Sequence, residues 1–282
     1  MTATVQHARA QMPLAEHLRE LRRRLVVSLI AIGLGSVVGW IYYVQIFDVV
    51  SRPIEQVVTE AAAEGRDVKL VMTGVADAFM LQVKIAVMTG LVLSSPVWIY
   101  QLWAFVTPGL HSKERRWVFV FAGISVPLFL GGVFLAYLVM PKGLEVLLGF
   151  TPQDVGNYLP VDRYLSFFLR MVLVFGVGFL TPLFIVGLNV MGILSGKRLA
   201  AAWRYIIFGV FVFAAVATPT GDPINMLLLA TPILVLVGAA VVFCLFNDRR
   251  RARHGEPDYD DWDDDDISPI PESVDDDDAS RM

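Results

Sequence analysis

The chain has 282 residues, 56% of them hydrophobic and 18% charged, with a mean hydropathy of +0.60. A soluble domain of this size carries more charge, so composition points to a membrane protein. The net charge of −4 combines two opposed parts. Residues 256–282 hold 13 of the 27 acidic and one of the 23 basic residues, whereas the remainder has 22 basic against 14 acidic. The single cysteine, Cys244, excludes an internal disulfide and any multi-cysteine metal or iron–sulfur site. Its apolar surroundings make it a packed small side chain.

The first 24 residues are polar and charged, with Leu14, Leu18, Leu21 and Leu25 on one face of a helix. Such a stripe suits the membrane interface. The apolar run that follows has no small-residue cleavage site, so it is expected to be a permanent span and not a signal peptide. Runs of about 20 apolar residues are long enough to cross a bilayer. They fall at 25–47, 85–105, 117–140, 171–194 and 224–246, with a shorter run at 205–217 closed by Thr218-Pro219-Thr220-Gly221-Asp222-Pro223. The short run reaches only about 20 Å, against a hydrocarbon core of about 30 Å.

Pro96, Pro127, Pro182 and Pro232 predict bent helices. The segments 48–74 and 141–162 are too long for tight turns and predict short capping helices, one starting at Arg52-Pro53-Ile54-Glu55. Lys84 and Arg170 are expected to snorkel to the outer interface.

The fold class expected is therefore an all-α integral membrane protein with six transmembrane helices. Residues 1–24 form a cytoplasmic segment with an amphipathic helix, 25–246 a six-span membrane domain, and 247–282 a basic, then acidic, disordered tail. Basic residues set the orientation. They cluster before the first run (Arg19, Arg22, Arg23, Arg24), between the second and third (Lys113, Arg115, Arg116), between the fourth and fifth (Lys197, Arg198, Arg204), and after the sixth (Arg249, Arg250, Arg251, Arg253). Both ends are expected in the cytoplasm.

Two carboxylates stand within this basic rim. On pattern alone Glu20 reads as an i,i+4 partner of Arg24, and Glu114 as local neutralisation of Lys113, Arg115 and Arg116. The sequence holds no Walker loop, no Gly-x-Ser-x-Gly and no His-Glu-x-x-His. All four histidines (His7, His17, His111, His254) lie outside the apolar runs, which weighs against an intramembrane enzyme. A small-solute secondary transporter is the alternative, but it needs ionisable groups at mid-membrane, and the runs nearly lack them. No cofactor or metal is implied.

The segment Leu14-Ala15-Glu16-His17-Leu18-Arg19-Glu20-Leu21-Arg22-Arg23-Arg24-Leu25 resembles the amino-terminal signature of the TatC family. The first inner loop of that family is matched by Tyr100-Gln101-Leu102-Trp103-Ala104-Phe105-Val106-Thr107-Pro108-Gly109-Leu110 with Lys113-Glu114-Arg115-Arg116. Val75-Ala76-Asp77-Ala78-Phe79, Tyr164-Leu165-Ser166-Phe167 and Thr218-Pro219 with Asp222-Pro223 follow in matching order. The resemblance implies a cupped six-helix receptor for twin-arginine signal peptides on folded cargo, driven by the proton-motive force, with TatA- and TatB-type single-span subunits as partners in an oligomeric complex. By position it assigns Glu20, Glu114, Arg22, Leu25 and Phe105 to signal-peptide binding, and Pro53, Phe79 and Asp222 to structure or partner contact. The sequence departs from the family at Leu180 and Gly238, where many members carry a glutamate. Thr181 and Arg170 are the candidates to take over the first of these. If the resemblance holds, Arg22→Ala reduces export more than Arg23→Ala in a transport assay; equal effects mean that only bulk positive charge matters there.

Overall fold

The structure, a computed structural model, describes residues 14–106, 115–152, 155–217 and 223–253. Glu114, Asp222, the turn closing the fifth apolar run and the acidic tail lie outside the described residues. Ten helices and two short strands make up the rest: α1 (Leu14–Ile41), α2 (Tyr43–Ala63), β1 (Val68–Val71), α3 (Asp77–Leu93), α4 (Ser95–Val106), α5 (Arg115–Gly149), β2 (Asn157–Pro160), α6 (Val161–Gly178), α7 (Thr181–Val190), α8 (Gly196–Ala201), α9 (Trp203–Ala217) and α10 (Pro223–Arg253).

Four stretches are long and apolar enough to cross a membrane: His17–Ile41, Val118–Gly149, Val161–Val190 and Pro223–Arg251. The pair α3 and α4, bent by 58° at Ser94, gives a fifth if it counts as one span. The bend follows from Pro96, which has no N–H to give the carbonyl of Val92, one turn back. Trp98 Nε1 crosses the break and donates to the Leu91 carbonyl at 3.0 Å. The α9 helix has 15 residues, about 22 Å of rise, and stays short of a bilayer core.

Several boundaries move from the sequence expectation. The first run breaks at Ile41–Tyr43, so residues 43–47 belong to α2, not to the first span. Pro53 does not start a helix; it sits buried inside α2, which runs through it. The fifth helix continues through Pro141 to Gly149, and α6 begins at Val161, ten residues before the expected span, so most of segment 141–162 is not loop. Each of these helices continues past its apolar stretch because the flanking residues also bury one face. Val57, Ala61, Leu144 and Leu148 join Tyr164 and Phe168 in a single core cluster.

Beside the all-helical framework runs one short parallel pair, β1 and β2, with Val68 opposite Asn157 and Val71 opposite Pro160. Parallel strands need a crossover. Here it is the descent through α3 and α4 and the return through α5. Above the helices, Lys84 does not snorkel freely. Its Nζ donates to Asp162 Oδ1 at 2.5 Å and to Ser166 Oγ at 2.9 Å, joining α3 to α6. Tyr164 Oη donates to the Val50 carbonyl at 2.6 Å and ties α6 to α2.

At the opposite end, Asn189 is 1% exposed and fully engaged. Its Nδ2 donates to the Leu194 carbonyl and to Asp248 Oδ1, both at 2.8 Å, and its Oδ1 accepts from Asn247 Nδ2 at 3.0 Å. The other oxygen of Asp248 accepts from the Gly196 backbone N–H at 2.6 Å. A buried polar group that finds every partner fixes its surroundings, and this knot seats the α7–α9 link against α10. The link turns at Gly192, whose φ of +74° lies in the left-handed region that side chains disfavour.

Leu180 is buried with Ile99, Trp103, Phe129 and Leu183. The position where the family commonly has a glutamate thus packs as core. Thr181 and Arg170 are both exposed. Cys244 is fully buried, as its apolar context implies.

The first helix buries few of its own side chains and packs mainly along α3 and then α4. Small residues allow this: a Cβ on Gly35 would lie 2.9 Å from Gly90 Cα, and one on Gly90 would lie 2.6 Å from the Ser36 backbone nitrogen. Gly90→Val is therefore expected to push α1 off α3 and destabilise the protein by about 3 kcal/mol, read as a lower midpoint in thermal unfolding of the purified protein. An unchanged midpoint would mean the two helices separate without cost.

Candidate ligand site at the inner ends of α1 and α4

One face of α1 and one face of α4 meet where both leave the apolar layer. On α1 the face repeats at helical spacing: His17, Glu20, Leu21, Arg24, Leu25, Ser28 and Ile32. On α4, Ile99 and Trp103 point into the core, which leaves Trp98, Gln101, Leu102 and Phe105 on the side toward α1. Trp103 holds the register of α4. It is 2% exposed, donates from Nε1 to Ser125 Oγ at 2.6 Å, and stacks on Phe121 and Phe184 at centroid distances of 4.8 and 4.9 Å.

Between the two faces lies a cavity of about 360 Å³ whose walls include Leu21, Leu25, Trp98, Leu102, Phe105 and Leu173. Its lining is apolar except at one rim. There Arg24 Nη2 and Nε donate to Glu20 Oε1 at 2.5 and 3.1 Å, and Arg24 Nη1 donates to Gln101 Oε1 at 3.2 Å. The side chains of Arg24 and Glu20 keep only 23% and 28% of their surface exposed. Their contact is therefore less screened than an exposed helix pair, which is worth a few tenths of a kcal/mol. Phe105 closes the rim, stacked on His17 at 4.6 Å with 22° between the rings.

This arrangement can hold a planar cation at its rim and apolar side chains below it. A guanidinium is the cation it already holds. Of the residues singled out from sequence, Glu20, Leu25 and Phe105 come together here. Arg22 is exposed on α1 and lines no part of the cavity. Pro53 and Phe79 stand at the other end of the molecule, Phe79 edge-on to Trp40 at 6.1 Å. Sequence reading did not find Gln101 as a partner of Arg24, because 77 residues separate them and no spacing rule links them.

Fold and site define a class: an all-helical, multi-pass membrane protein with a charged clasp over an apolar cleft. The family model for Sec-independent protein translocase protein (TatC) matches residues 16–232. TatC of Frankia casuarinae is 43% identical over 95% of this chain and 75% of its own, and TatC of Xylanimonas cellulosilytica is 39% identical over 88% and 89%. A crystal structure of the twin arginine translocase receptor TatC superposes with a TM-score of 0.70 at 33% identity, covering 83% of this chain and all of that one. The chain belongs to the TatC family: it is a Sec-independent translocase subunit of the cytoplasmic membrane, a transport protein and not an enzyme.

Because the ring of Phe105 forms both a cavity wall and the stack on His17, Phe105→Ala is expected to cost about 1 kcal/mol. It should also raise amide hydrogen exchange selectively in residues 17–24. Exchange rising equally across α5 and α10 would instead indicate global loosening.

Proposed function

We propose that this protein is the signal-peptide receptor and organising subunit of a twin-arginine translocase, and that Glu20, with Glu114, engages the paired arginines of the signal peptide. The observation that carries this reading is the guanidinium already gripped by Glu20 over an apolar cleft. A carboxylate binds a guanidinium through charge-assisted bonds of roughly 1.5–3 kcal/mol each when shielded. Lysine offers a point charge without the fork, so an Arg-Arg pair binds better than Lys-Lys. Leu25 and Phe105 line the cleft that receives apolar residues of the signal peptide beside its cations. Arg22 and the rest of the basic rim repel stray cationic peptides.

The second carboxylate, Glu114, lies eight residues after Val106 in the chain and directly precedes Arg115, the first residue of α5.

Six spans with both termini in the cytoplasm complete the reading. The bent α3–α4 pair counts as the second span and short α9 as the fifth. The positive-inside distribution supports the orientation, as does the basic run Arg249–Arg251 at the inner end of α10. Single-span subunits of TatA and TatB type are the partners, α9 is a docking side for one of their helices, and the proton-motive force supplies the energy. Pro53, Phe79 and Asp222 serve structure and partner contact, and residues 254–282, beyond α10, form a cytoplasmic tail.

The test is crosslinking of signal peptides bearing Arg-Arg or Lys-Lys to the full-length protein, with Glu20→Gln and Glu114→Gln as controls. Adducts are expected for Arg-Arg and should fall about tenfold with either substitution. Indifference to the motif and to both glutamates would falsify the receptor reading.

A further inference from the structure

We propose that Arg24 is a resident competitor for the ligand's guanidinium, occupying Glu20 until an arginine displaces it, and that it thereby sets the affinity threshold a ligand has to pass. This rests on the receptor reading of Glu20. Two nitrogens of Arg24 converge on one oxygen of Glu20, Nη2 at 2.5 Å and Nε at 3.1 Å, while Nη1 is held by Gln101 Oε1 at 3.2 Å. The pair is one helical turn apart, so Arg24 is always at high local concentration around its carboxylate. Any cation that reaches Glu20 has to displace it.

The displacement is selective by chemistry. A ligand guanidinium can reproduce the two converging N–H bonds, so the exchange is close to balanced and other contacts of the ligand decide it. An ammonium brings a compact, strongly hydrated point charge and cannot match the fork. The resident arginine lowers the affinity of both by the same factor, so the weaker lysine ligand is the first to fall below useful binding. Gln101 gives the exchange a second resting place. It is a neutral acceptor on α4, so a displaced Arg24 keeps one hydrogen bond there instead of losing all its partners. Since the Arg24 side chain also lines the mouth of the cleft with Leu21 and Leu25, its swing opens the way for the residues that accompany the ligand cation.

A purely structural clasp predicts the opposite sign. If Arg24 served only to join α1 to α4, its removal would loosen the site and weaken binding. Competition predicts that removal strengthens it.

The experiment measures binding of fluorescent signal peptides bearing Arg-Arg or Lys-Lys to the full-length protein in lipid nanodiscs. The variants are Arg24→Gln, Arg24→Lys, Glu20→Gln and the double variant Glu20→Gln/Arg24→Gln, with thermal midpoints recorded in parallel. Arg24→Gln is expected to bind the Arg-Arg peptide roughly three- to tenfold tighter. It should gain by a similar factor for Lys-Lys, because a resident competitor lowers the affinity of both cations alike. Arg24→Lys, which keeps the charge without the fork and guards against misfolding of the glutamine variant, should lie between Arg24→Gln and the unaltered protein. In the double variant the gain should vanish. Binding by both Arg24 variants at or below the unaltered level, or a gain that survives in the double variant, overturns the proposal while leaving Glu20 as the ligand carboxylate, provided Glu20→Gln still abolishes the preference. If the unaltered protein shows no preference, or Glu20→Gln leaves it intact, the receptor reading fails and this inference with it.

Discussion

The position of the clasp depends on how closely α1 can approach its neighbours. This helix lies at the edge of the molecule, with most of its large apolar side chains exposed, from Leu18 and Leu25 through Leu34 to Ile41. In a bilayer such exposure carries no hydrophobic penalty, since lipid tails are as apolar as leucine, and helices associate there through van der Waals packing and hydrogen bonds. Gly35, Ser36 and Gly39 on α1 face Ala86, Thr89 and Gly90 on α3, and these small residues let the two backbones touch. At the end of α1 near Arg24, a hydrogen bond to Gln101 also joins α1 to α4. Remove the close packing and the carboxylate of Glu20 has no fixed relation to the cleft.

The two ends of the molecule are tied by different chemistry. One end uses a short sheet and polar bonds between helices, with Lys84, Asp162 and Ser166 joining α3 to α6 and Tyr164 reaching α2. The other end, at α7 and α10, uses a buried amide–carboxylate knot centred on Asn189 and Asp248. Between them the apolar layer contains little that discriminates one helix from another beyond shape. Stacked rings supply much of that shape, and Trp103 between Phe121 and Phe184 is the clearest case. Rigid ends and a clean apolar middle suit a protein whose work, on the proposed reading, is to hold a peptide at one face while partner helices assemble on another.

The place of Leu180 shows how a substitution changes a membrane interior. A carboxylate there would need partners or water, because an unpaired charge in a low-dielectric layer is costly. As leucine it fills the cluster around Trp103 and Phe129, and the exposed neighbour Thr181 is the polar group left at that level.

Much of this protein could be read directly from the residues. Apolar run lengths, the break expected at Pro96 and the pairing of Glu20 with Arg24 are local, set by rise per residue, a missing N–H and helical periodicity. The family signature, too, lies in short contiguous segments. Tertiary structure alone decided the rest. The seams of small residues, the parallel strands joining residues 68–71 to 157–160 and the Arg24–Gln101 bond each join groups far apart in the chain. So did the extent of the helices: α2 runs through Pro53 and α5 through Pro141 because the flanking residues bury a face against distant partners. A sequence states which side chains are available at each turn of a helix. Which helix lies opposite depends on packing between segments that no local periodicity records.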